Sequence, residues 1–188
     1  MQLPNQTVEK HMKFDLPFKE SITRKQLNMN FELYWLKTLK NYKRNLIISI
    51  IGILLGSLIV YGNGNVGYVF IAMGTYGILE FYKIKVAYNR SKRKYLEAIN
   101  KVVEEQIKNC ENSIWEFNED FFGYKDYKFD LKIKWEGFSG FRVIEENLFL
   151  DVINNHLLSY ILSKEEIGEE KFQNLEAFIG TKLKRTSH

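Results

Sequence analysis

Cysteine, proline and histidine are scarce in this chain, with one Cys, two Pro and three His in 188 residues. The single Cys110 excludes an intramolecular disulfide framework and fits a reducing compartment. His11, His156 and His188 lie far apart, and no Cys/His pair has metal-site spacing, so neither metal nor cofactor is expected. The phosphate-cradling nucleotide motifs are missing too, because Gly62-Asn63-Gly64 is not followed by a Lys-bearing helix. Paired carboxylates at Glu145-Glu146 and Glu165-Glu166 read as a solvated turn and a helix start, where negative charge suits the dipole. Nothing assembles a catalytic constellation, and no enzyme activity is expected. The scarcity of proline beside 14 Phe, 11 Tyr and 3 Trp excludes a disordered chain.

Charge is also unevenly withheld. Residues 1–44 hold nine Lys/Arg against four Asp/Glu, and residues 83–109 hold eight against three. Residues 110–188 reverse the balance, with ten against fifteen, a net of −5. Between the basic flanks the only charged residue is Glu80. Basic flanks around an uncharged centre, followed by an acidic domain, do not describe a binder of nucleic-acid polymers. They describe a two-helix transmembrane hairpin at 45–86, entered through a segment at 1–44 and left through a basic stalk helix at 87–109.

Asn45 to Tyr61 reads NLIISIIGILLGSLIVY, about 17 residues or about 25 Å as a helix, at the short end for a bilayer. Gly62-Asn63-Gly64-Asn65 is strong loop chemistry, and Val66 to Leu79 is again uncharged. A cleaved signal peptide does not fit an apolar run that starts 45 residues in with no small-residue cleavage site after it. Lys37, Lys40, Lys43 and Arg44 precede the first span, and a denser basic cluster follows the second, so the positive-inside rule puts both ends in the cytoplasm. Gly52 and Gly56, with Gly74 and Gly77, are candidate helix-packing positions, since small residues let backbones approach closely in lipid. They leave packing within the hairpin and a homo-oligomer both open. Glu80 calls for a partner, and Lys83 lies one turn later. Arg90, Lys92, Arg93 and Lys94 are the candidate ligands for anionic lipid head groups.

Phe14 to Ile22 alternates and suggests a short edge strand, and Thr23 with Gln26 has capping-box spacing for a helix that follows. Beyond Cys110, short alternating runs with turn chemistry predict a meandering antiparallel sheet over 110–188. A helix from about Lys164 to Leu183 would close it, with Phe172, Leu175 and Phe178 on one face. Trp115 and Trp135 are expected in its core, and Asp126, Asp130 and Asp151 on its wet face. The fold class is therefore membrane α+β.

Three stretches carry a family resemblance: Lys134-Trp135-Glu136-Gly137-Phe138, then Val143 to Leu150, then Tyr160-Ile161-Leu162-Ser163-Lys164 before the closing helix. In their order and spacing the chain resembles the YcxB-like membrane proteins of bacteria. Ser163 departs from the Pro usual in that family. The resemblance implies a PH-like cytosolic domain and a place in the bacterial inner membrane, and it lends no catalytic residues. Two functions are compatible with these features. One is a membrane-tethered binding or regulatory module, such as an immunity protein, whose acidic domain would suit a basic protein partner. The other is a membrane-disrupting antiphage effector that senses a nucleotide, for which a −5 domain is a poor start.

Overall fold

A computed structural model describes residues 11–153 and 159–186. The chain divides into two compact units: residues up to Asn30 together with those from Lys101 onward, and Phe31–Asn100 between them. The architecture is α+β, with a long apolar helix near the N-terminus and two antiparallel sheets.

The first unit begins with β1 (Met12–Leu16), whose Met12, Phe14 and Leu16 are buried while Lys13 and Asp15 face out. Period-2 alternation thus continues to Leu16 and stops before Pro17, which has no N–H to donate to a ladder. β1 is an edge strand, as its sequence suggests, but it ends at Leu16 and not at the expected Ile22, which lies in a helix; it pairs with β2 (Ser113–Phe117). β3 (Phe121–Lys125) and β4 (Asp130–Lys134) complete a four-stranded sheet in the order β1-β2-β3-β4. The expected single meander ends there. Trp135–Gly137 forms a 3-10 turn, and the chain enters a second sheet of β5 (Phe138–Ile144), β6 (Asn147–Val152) and β7 (Ser159–Ser163). Glu145 and Glu146 join β5 to β6, both at positive φ, the backbone that a two-residue hairpin requires. β7 starts at Ser159, and His156, Leu157 and His188 lie outside the described residues.

The closing helix is two helices. α3 (Lys164–Ile167) ends at Gly168, whose φ of 84° favours glycine, and α4 (Glu169–Lys182) follows. Phe172, Leu175, Phe178 and Ile179 of α4 enter one core with residues of both sheets. Trp135 is there as expected, 7% exposed, with its indole N–H donated to Asn118 O at 3.0 Å. Phe149 is fully buried, with the Arg142 guanidinium 5.1 Å from its ring centre. The free edge of β5 is covered by the C-terminal tail, where Phe141 N donates to Lys184 O and Thr186 N to Phe141 O.

The second unit holds most of two long helices, α1 (Glu20–Tyr61) from Phe31 to its end and α2 (Gly67–Asn109) from its start to Asn100. At 1.5 Å per residue each is about 63 to 65 Å long. Each runs unbroken through the expected segment boundaries near 44 and 86. Helix α1 begins at Glu20, three residues before the expected cap, because Glu20 already supplies a first-turn carboxylate and pairs with Arg24 at 2.7 Å. Thr23 lies inside the first turn, its N–H donated to Lys19 O. Among the described residues α1 is the one helix long and apolar enough to cross a membrane, and its most apolar window is 6% buried within the chain. The apolar stretch of α2 is diluted by Tyr68, Thr75, Tyr76 and Glu80.

Candidate functional site

The helix-packing glycines sit where α1 and α2 touch. A Cβ on Gly56 would lie 2.6 Å from Gly67 O, one on Gly74 2.5 Å from Ser49 O, and one on Gly77 2.0 Å from Ser49 Oγ. Gly52 is different, with Phe70 O at 3.8 Å as its nearest neighbour. Glu80 meets Lys83 at 2.6 Å.

The four basic candidates separate in their surroundings. Lys92 is held by Glu32 at 2.5 Å, and the Tyr88 phenol donates to the same carboxylate at 2.8 Å. Burial of Glu32 opposes its ionisation, but hydrogen bonds from Lys92 and Tyr88 outweigh it and bring the pKa below the ordinary carboxylate value. Phe31, Trp35 and Tyr95 pack around this cluster. Arg90, Arg93 and Lys94 are exposed, and Arg93 approaches Glu97 at 3.9 Å.

The groove with chemical character lies in the sheet-bearing unit. It has a volume of about 520 Å³, within the range of small-ligand sites. Its wall is aromatic and built by strand alternation. Trp115 of β2, Tyr124 of β3 and Tyr160 of β7 meet there, with ring centres 5.2 Å apart for Trp115–Tyr124 and 5.5 Å for Tyr124–Tyr160. The first pair is edge-to-face at 84°, a favourable arrangement of the ring quadrupoles.

Acceptors border this wall. Asp126 heads the β3–β4 turn, where its Oδ1 accepts from Lys128 N and Phe129 N, and its Oδ2 accepts from the Tyr124 phenol at 2.9 Å. Burial and then the Asp126 charge push the ionisation of Tyr124 well above the ordinary phenol range, and they raise Tyr160 as well. Both phenols are therefore neutral at physiological pH. Glu166 also lines the groove, and one of its oxygens accepts from Ser163 N, Ser163 Oγ and Gln26 Nε2. Gln106 supplies a buried amide oxygen with no hydrogen-bond partner. Glu111 adds a third carboxylate, against Lys19 as the one cationic side chain in the lining among the described residues.

Comparison of the chain with protein-family models, curated proteins and solved structures gives no match.

Of the residues weighed in the sequence, Trp115 does two things: it is core, and its ring forms part of the groove wall. Asp126 is not on a wet sheet face, because it folds back to order the turn. Asp151 is a plainer correction. Only 14% of its side chain is exposed, and it forms a two-pronged pair with Arg142 at 2.6 Å while accepting from Ser159 Oγ. Tyr124, Tyr160, Gln106 and Glu166 were not legible as a group, since they come from β3, β7, α2 and α3. The signal present was local: aromatic residues on alternate positions of strands whose partners are set by tertiary pairing.

Proposed function

We propose that this chain is a two-pass, membrane-anchored binding module whose sheet-bearing unit recognises a protein partner in the cytoplasm. The observation that carries the reading is the acceptor-rich aromatic groove in a unit tethered to a long, apolar, uncovered helix. Ile48, Leu54, Leu55 and Leu58 of α1 are exposed, as are Val69, Met73 and Leu79 of α2. Apolar surface on that scale favours lipid as its surroundings. Basic residues at the ends distant from the Gly62–Val66 turn support the orientation with both termini inside.

The four-stranded and three-stranded sheets closed by a C-terminal helix support a PH-like unit, with the helix pair inserted between its first and second strands. That order also suits the likeness to the YcxB-like proteins and a place in the bacterial inner membrane. The groove argues against the nucleotide-sensing effector: three carboxylates against one lysine offer an anionic ligand net repulsion.

The test is a positional-scanning library of capped hexapeptides, presented to the full chain in phosphatidylcholine nanodiscs. Sequence-selective binding that Tyr160→Ala abolishes is the expected result. Absence of selective binding contradicts the module.

A further inference from the structure

We propose that the groove seats an arginine side chain of a basic peptide segment, with its guanidinium held by the carboxylates of Asp126 and Glu166; this rests on the binding-module reading above. Three observations select that ligand. First, the charge is one-sided. No ion pair forms on Asp126, Glu166 or Glu111 among the described residues, and Lys19 is the lone cationic member of the lining.

Second, the carboxylates keep acceptor capacity. The Tyr124 phenol is already donated to Asp126, and Glu166 takes Gln26 Nε2, Ser163 N and Ser163 Oγ on one oxygen, with none of these bonds on the other. A buried acceptor left unmade is costly, so a donor-rich ligand gains there and an acceptor-rich one loses. Guanidinium brings five N–H donors in a fixed fork and no acceptor.

Third, the wall is aromatic. Guanidinium is weakly hydrated and stacks on aromatic faces, whereas an ammonium is a compact, strongly hydrated point charge. Scattered acceptors beside tyrosine rings therefore fit arginine better than lysine. The 520 Å³ volume exceeds one side chain and leaves room for flanking peptide.

The experiment titrates the full chain in phosphatidylcholine nanodiscs with capped hexa-arginine and, separately, capped hexa-citrulline, which keeps the shape and loses the charge. Empty nanodiscs supply the blank. The wild type is expected to bind the arginine peptide at least roughly tenfold more tightly than the citrulline peptide. Asp126→Asn keeps the turn acceptor and Glu166→Gln keeps the Ser163 contacts, so both should fold with an unchanged melting temperature. Each is expected to cut that preference several-fold, while Glu170→Gln, which removes the same charge outside the groove, leaves it intact. Equal binding of the two peptides, or an equal loss in Glu170→Gln, overturns the proposal. If the hexapeptide library instead yields selective binders without Arg that depend on Tyr160, the module stands and the arginine assignment falls. If it yields none, both fall together.

Discussion

Phe14 lies directly opposite Trp115 in the β1–β2 ladder, although both long helices separate them in the chain. The two ends of the helix pair are thereby anchored to adjacent strands of one sheet. The strand β1 is not an N-terminal appendage; its Phe14 ring stacks edge-on against Phe117 at 5.9 Å and belongs to the common core. Phe14→Ala is expected to destabilise the sheet-bearing unit by about 3–5 kcal/mol. Denaturant unfolding of the full chain, followed by aromatic circular dichroism, checks this. A change below about 1 kcal/mol would mean that β1 is dispensable.

Trp135 makes a second, independent test of the core. Its ring packs on Phe138 and Phe178 at 6.0 Å, and its N–H satisfies Asn118 O. Truncation leaves a cavity and an orphan carbonyl, so Trp135→Ala should cost about 3–5 kcal/mol. Trp135→Phe retains most of the packing and loses the hydrogen bond, and should cost clearly less.

How these elements could be read in advance follows from what each depends on. β1 was legible as an edge strand because one buried face imposes period 2 on the residues themselves, but its end at Leu16 was not, because alternation runs on to Ile22 through residues that start α1. The split into two sheets was not, since it depends on Trp135–Gly137 turning as a 3-10 segment where alternation of Ile133 and Trp135 continues without a break. Gly168 breaks the closing helix through its backbone, inside a pattern whose apolar spacing runs on. The groove was the least legible part. Tyr124 and Tyr160 meet only once β7 is brought to the first sheet, and Gln106 reads in sequence as one more polar residue of a long helix.

The glycines give an internal control on the helix pair. Gly56→Leu places a side chain where Gly67 O and the Phe70 Cβ already stand, while Gly52 has its nearest neighbour at ordinary contact distance. Gly56→Leu is expected to lower the melting temperature of the purified protein and Gly52→Leu to leave it nearly unchanged. Chemical cross-linking adds a readout on assembly: reduced self-association in Gly52→Leu would place that face against a second copy.

The pH dependence has a definite sign at Glu105, which joins α2 to the β3–β4 turn. It accepts from Tyr127 at 2.9 Å and from Lys128 at 3.1 Å, and these bonds lower its pKa from the ordinary 4.5. A lowered carboxylate contributes stability above its unfolded value, and that contribution is lost as pH falls through the folded value. Tyr127 runs the other way. Burial first and then the bond to Glu105 raise it from 10 to about 12, so its contribution is present below pH 10 and lost on the rise toward 12. Glu105→Gln should flatten the stability curve on the acid side below about 4.5, and Tyr127→Phe on the alkaline side. Melting temperatures across the pH range decide both.

The most direct test of a membrane-anchored cytoplasmic module is cysteine accessibility in intact cells. Cys110 is the one native cysteine, so Cys110→Ser provides a clean background. Single cysteines are then placed at Asn63, in the turn between the long helices, and at Glu169, at the start of α4. A membrane-impermeant maleimide should label the Asn63 position from outside and the Glu169 position only after the cells are opened. Labelling at Glu169 in intact cells, or protection of Asn63 until lysis, would contradict the account.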